Sequence, residues 1–97
     1  ADAQITRQEA MVMYAKAMDV AGLKAKDINR INAYTDNSQV STWAYAGVQK
    51  TLGAGVFNGT SATTIEPGST FTYAEAASAI QNLLVESGLI NAKPETF

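Results

Sequence analysis

Neither cysteine nor histidine occurs among the 97 residues. Disulfide frameworks, zinc knuckles and thiol nucleophiles are thereby excluded, and no imidazole is present to bind a metal or act as a general base. A serine or threonine nucleophile would stand unassisted, and the nine acidic residues are scattered with no pair placed for acid and base roles. The reading is a non-enzyme with no cofactor and no metal site. Charge is sparse too: seven basic residues against nine acidic ones give a net charge of −2, with no electrostatic footprint for nucleic acid or an anionic membrane surface. No apolar run approaches the roughly 20 residues that span a bilayer, so membrane insertion is not expected. The N-terminus lacks the basic-then-apolar layout of a signal peptide, which reads as a mature soluble segment. A chain of this length forms at most one domain with a limited core.

What is present is a repeat. Ile5-Thr6-Arg7-Gln8-Glu9-Ala10 returns 66 positions later as Phe71-Thr72-Tyr73-Ala74-Glu75-Ala76, and each copy runs on to a Gly-Leu pair, Gly22-Leu23 and Gly88-Leu89. Thr6 and Thr72 can each cap a helix with the hydroxyl, while Glu9 and Glu75 reach back to the cap's own amide. The apolar positions Met11, Tyr14, Met18 and Ala21 in the first copy, and Ala76, Ile80, Leu83 and Leu84 in the second, keep helical spacing. Met11, Met13 and Met18 read as core fill rather than a metal-binding set. Gly22 and Gly88 supply the left-handed residue that ends each helix.

Between the copies, residues 24–33 read as a connector with a short helical turn that buries Ile28 and Ile31. Tyr34 to Ser38 is turn-prone, and Ser41 or Thr42 is placed to cap a medium helix containing Trp43, Ala44, Val48 and Leu52, ended by Gly53 and Gly55. A loop rich in Gly, Asn, Ser and Thr follows, in which short extended pieces near Val56-Phe57 and Thr64-Ile65 can pair weakly. Pro67 stops pairing there and Gly68 permits a turn. The fold class is all-α. The small residues Ala74, Ala76, Ala77 and Ala79 allow the close helix approach of a compact bundle.

Tyr34-Thr35-Asp36, Trp43-Ala44, Gly53-Ala54-Gly55-Val56-Phe57-Asn58-Gly59, Glu66-Pro67 and Phe71-Thr72-Tyr73-Ala74-Glu75, in that order, resemble an S-layer homology (SLH) motif. The likeness covers residues 34–90. Residues 1–23 resemble the closing helix of a preceding motif, 24–33 the linker between motifs, and 91–97 a tail. The resemblance implies a pseudo-threefold bundle of long central and shorter outer helices, with inter-motif grooves that hold a secondary cell-wall polysaccharide, often carrying a pyruvylated amino sugar. One motif and one extra helix stand where the family has three motifs, so the chain reads as a fragment. Its apolar faces then call for other SLH repeats or another copy of the chain.

The resemblance directs attention to five side chains or backbone positions as polysaccharide ligands. Arg7 sits just inside a helix N-terminus, where the dipole and a guanidinium fork suit a carboxylate such as that of a pyruvyl ketal. Its other reading is a solvated arginine paired with Asp2, and its replacement by alanine is expected to weaken binding with the helix still folded. Tyr73 replaces the arginine usual in the family; it can stack on a sugar or pack at the bundle end, and implies a weakened groove. Trp43 can lie on a pyranose ring or lock the medium helix into the core. Asp36 can accept sugar hydroxyls or cap the amides that follow it. Gly55 can admit a ligand to the backbone or simply supply positive φ. Arg7, Asp36 and Trp43, from consecutive motifs, are expected to line one groove. The function implied is a non-catalytic anchor that attaches a larger protein to a bacterial cell wall or S-layer, outside the cell. The alternative is an assembly module that docks to SLH repeats or partner chains without a working sugar site.

Overall fold

In the computed structural model, which describes residues 4–89, three α-helices are joined by turns and loops, and the described residues contain no sheet. Helix α1 spans Arg7–Ala21, α2 Thr42–Ala54 and α3 Tyr73–Glu86. Both copies of the repeat close the capping box that their spacing predicts. The Thr6 hydroxyl accepts from the Glu9 amide at 3.3 Å while Glu9 Oε1 accepts from the Thr6 amide at 2.7 Å, and Thr72 and Glu75 do the same at 3.2 and 2.9 Å. All three helices end alike. The Gly22, Gly55 and Gly88 amides bond back to Asp19, Leu52 and Val85, and the next residues, Leu23, Val56 and Leu89, reach Met18, Thr51 and Leu84. This paired ending needs a left-handed residue, and all three glycines have φ near +80°.

Gly53 has a different part from the one expected of it. It lies within α2, and its carbonyl accepts the amides of Lys26 and Asp27 at 3.1 and 3.2 Å, so the connector crosses directly over it. A Cβ there would stand 2.6 Å from the Asp27 carbonyl oxygen. Glycine is therefore required for close approach, not for helix termination. The connector forms a 3-10 helix over Ile28–Ala33 that buries Ile31, whereas Ile28 at its start is 54% exposed, contrary to the expected pair. The anchoring bonds hold the backbone just before Ile28 to the end of α2, and its own side chain is left outside.

Met11 and Met18 of α1, Val48 and Leu52 of α2, and Ile31, Val56 and Ile65 between the helices form the fully buried core. Met13 does not join them. It is 58% exposed because it lies on the face of α1 turned away from this cluster, and Ala21 is exposed as well. On α3 the only buried residue is Ala79, while Ile80 is half exposed and Leu83 and Leu84 are partly covered. The small alanines thus do not bring α3 into full contact with its neighbours. Ser41 caps α2 in position, but its hydroxyl accepts from Gln8 Nε2 and its amide donates to Gln8 Oε1, which pins the start of α2 to the first turn of α1.

The extended pairing expected inside the loop is replaced by one elsewhere. The Val56 and Phe57 amides are already spent on the Thr51 carbonyl, and Thr60 and Thr64 close a tight turn on each other. A single antiparallel bridge instead joins Thr6 to Thr70, flanked by bonds from the Phe71 amide to Ile5 and from the Arg7 amide to Ser69. The starts of α1 and α3 are held side by side in this way. Glu66, not Gly68, is the left-handed residue of this segment, with φ 51°.

Tyr14, Phe57 and Phe71 meet as an aromatic trio with centroid spacings of 5.2, 6.0 and 5.6 Å, beneath the junction of the two helix starts. Burial pushes the Tyr14 phenol above its ordinary value. A raised folded-state pKa means that the neutral phenol's contribution is fully present below the unfolded value, about 10, and is lost as pH rises through the folded one. Alkaline titration of thermal stability is therefore expected to show a loss above about pH 10 that is smaller in Tyr14→Phe.

Candidate functional site

Arg7 is the centre of the junction. The bridge to Thr70 and the Thr6 cap place it at the first position of α1, and its guanidinium turns inward, leaving the residue 3% exposed. Nε donates to the Ile65 carbonyl at 2.8 Å, Nη2 to the Asn58 carbonyl at 2.8 Å, and Nη1 pairs with Glu75 Oε2. The Phe57 ring lies 5.8 Å from the guanidinium carbon. Three of its five N–H groups are thus engaged, and two are unassigned within the described residues. Asp2, offered by the sequence as a partner, lies outside the described residues; the carboxylate found at Arg7 is Glu75.

Asp36 acts on the same peptide from the other side. Its Oδ1 accepts from the Ile65 amide and its Oδ2 from the Glu66 amide, each at 2.8 Å. It does not cap the amides that follow it in sequence, since the Asn37–Gln39 turn has no side-chain cap. Both oxygens instead hold Glu66 in its left-handed conformation, which costs about 1–2 kcal/mol for a residue with a Cβ. Arg7 on the carbonyl of Ile65 and Asp36 on its amide fix the loop at one point.

A cleft of about 430 Å³ opens beside this point. One wall is the segment from Val56 to Thr60 with the edge of Arg7, and the other is the face of α3 that carries Glu75, Ser78 and Asn82. Its volume lies within the range of small-molecule pockets. Arg30, which the sequence reading passed over, supports the rim: it donates to the Leu52 carbonyl at 2.8 Å and to Asn58 Oδ1 at 2.6 Å. Two guanidiniums therefore converge on Asn58, one on its backbone and one on its side chain. No local signal marks Arg30, because its partners lie 22 and 28 positions away. Gly59 completes the rim; a Cβ there would collide with the Thr64 carbonyl and the Tyr34 ring.

The remaining expected residues do not share this cleft. Trp43 is 62% exposed on α2, neither locked in the core nor beside Arg7, and Asp36 stands behind the loop rather than in the opening. Gly55 is the left-handed cap of α2. Tyr73 is 96% exposed and borders a second cleft of about 480 Å³, formed with Ile5 and Phe71. The expectation that Arg7, Asp36 and Trp43 line one groove is thus not met: only Arg7 does. No group of three or more His, Cys, Asp or Glu residues that could hold a metal ion occurs among the described residues, nor does any described helix have the length and apolarity to cross a membrane.

Residues 33–77 match the family model of the S-layer homology domain. No curated protein and no solved structure shows a match to the chain. The matched segment runs from the end of the connector through α2, the Arg7-bound loop and the first turns of α3, so it contains the Asp36 and Glu75 contacts and every residue of the loop that Arg7 grips. SLH domains are non-catalytic modules that bind cell-wall polymers and associate proteins with the cell surface or S-layer. Residues 33–77 are thus similar to the S-layer homology domain, a family of cell-wall and S-layer anchoring modules.

Proposed function

We propose that this chain anchors a larger protein outside a bacterial cell by holding an anionic, pyruvylated secondary cell-wall polysaccharide in the cleft between the 56–60 loop and α3. The observation that carries this reading is a buried guanidinium whose edge borders an open cleft and which keeps two N–H groups for a ligand. Rigid placement matters: the fork is held by two carbonyls and a carboxylate, so little side-chain entropy is lost when a ketal carboxylate docks. Asn58, Thr60 and Ser78 supply neutral hydrogen-bonding groups for the sugar hydroxyls. Asp36 serves as a positioning residue behind the loop. Each contact is modest, and multivalency along the polymer raises the avidity.

Retention of the chain on purified wall polymer tests this. Mild acid removal of the pyruvate ketal is expected to reduce retention tenfold or more, in line with the roughly 1.5–3 kcal/mol of a charge-assisted hydrogen bond. Ser78→Phe, an exposed substitution that fills the cleft, is expected to do the same with the helical circular dichroism unchanged. Undiminished retention after ketal loss overturns the assignment of the carboxylate to Arg7.

A further inference from the structure

The two copies of the repeat correspond position for position, yet they are covered on opposite sides. On α3 the stripe Glu75, Ala79, Asn82 and Glu86 is engaged throughout: Glu75 pairs with Arg7, Ala79 is buried, Asn82 donates to the Val56 carbonyl at 3.2 Å, and Glu86 pairs with Lys26 at 2.9 Å. Its counterpart on α1, 66 positions earlier, is Glu9, Met13, Lys16 and Val20. That stripe is open, with Met13 58% and Val20 91% exposed. The converse holds on the other side. Arg7, Met11 and Met18 of α1 are buried and Tyr14 is partly covered, while their counterparts Tyr73, Ala77, Leu84 and Ile80 form a stripe on α3 in which Tyr73 is 96% and Ile80 50% exposed.

We propose that a second copy of this chain docks head to tail, laying its α1 stripe on the α3 stripe of the first. The Tyr73 phenol then donates to Glu9 Oε2 of the other copy, in the seat that Arg7 takes on Glu75 within one chain. Glu9 is prepared for this. Its Oε1 already accepts from the Thr6 amide, as Glu75 Oε1 accepts from Thr72, and Oε2 has no partner among the described residues. The α3 stripe opposes nothing electrostatically, because the only charged residues of that helix, Glu75 and Glu86, are spent on Arg7 and Lys26. Arg7 of a second copy cannot take the seat, being held by its own Glu75. A pairing of α3 with α3 would leave Glu9 unserved, so the contact joins the unlike stripes of the two copies. A phenol gives the carboxylate one hydrogen bond and no counter-charge where arginine gives a cationic fork, so this association is weaker than the pairing inside the chain. The inference does not depend on the polysaccharide reading.

Sedimentation equilibrium of the intact chain tests it. The wild type is expected to gain mass with concentration across the micromolar to millimolar range. Tyr73→Arg is expected to tighten association at least tenfold and make it salt-sensitive, and adding Glu9→Gln, which keeps the cap but removes the charge, reverses that gain. Met13→Asp and Ile80→Lys, both at exposed positions, are each expected to be monomeric alone but to form a one-to-one complex when mixed, because each retains one intact stripe. Thermal melts of the variants verify that they are folded. A wild type and a Tyr73→Arg variant that both remain monomeric overturn the proposal, as does a mixture that fails to pair.

Discussion

Arg7→Ala lowers the unfolding free energy by about 3–5 kcal/mol, the range for removing one partner of a buried ion pair. The sequence alone leads one to expect weaker ligand binding with the fold unchanged. The guanidinium's position alters that expectation. Its loss leaves the Ile65 and Asn58 carbonyls without their donor and the Glu75 carboxylate without its counter-charge, while α1 and the loop lose their main polar link. Urea denaturation followed by circular dichroism reads the change; at about 4–8 °C per kcal/mol for a chain of this size, the melting temperature falls by at least about 12 °C. Arg7→Lys recovers only part of the loss, since one ammonium cannot span three acceptors fixed by a planar fork. A melting temperature within a few degrees of wild type in Arg7→Ala would show that the inward guanidinium contributes little to folding.

Asp36→Ala has the second largest effect expected, a loss of about 2–4 kcal/mol, drawn from two charge-assisted hydrogen bonds to main-chain amides. Those amides belong to Ile65, whose side chain is fully buried, and to Glu66, whose backbone is left-handed. Asp36→Asn keeps one acceptor and is expected to lose roughly half as much. Because Arg7 and Asp36 hold opposite ends of the same residue, a double-mutant cycle is expected to show coupling of about 0.5–3 kcal/mol. Purely additive losses would refute a shared role at Ile65.

The parts of the fold that rest on near neighbours in the chain were readable in advance. Thr6 with Glu9, Thr72 with Glu75, and the Gly-Leu endings all operate within a few residues, so their spacing alone specifies where α1 and α3 start and stop. The order of motifs likewise suffices to find the likeness of residues 33–77 to the SLH domain. The site was less legible because its contacts are distant. Arg7 reaches partners 51, 58 and 68 positions away, and Asp36 reaches amides 29 and 30 positions away, across a loop whose path no local preference dictates. Periodicity also misjudged Met13 and Ile28, since a helical stripe shows which residues share a side, not which side meets a neighbour. Trp43 fails for the same reason: size and apolarity favour burial, but its place on α2 faces outward.

Glu75 couples events of very different range. One of its oxygens completes a turn within its own helix and the other receives an arginine from the far end of the chain. The capping box of α3 closes locally, but the charge on Glu75 is balanced only when α1 has arrived. Undocking of α1 is therefore expected to loosen the first turn of α3 as well, so the two helices share part of their stability through a single side chain.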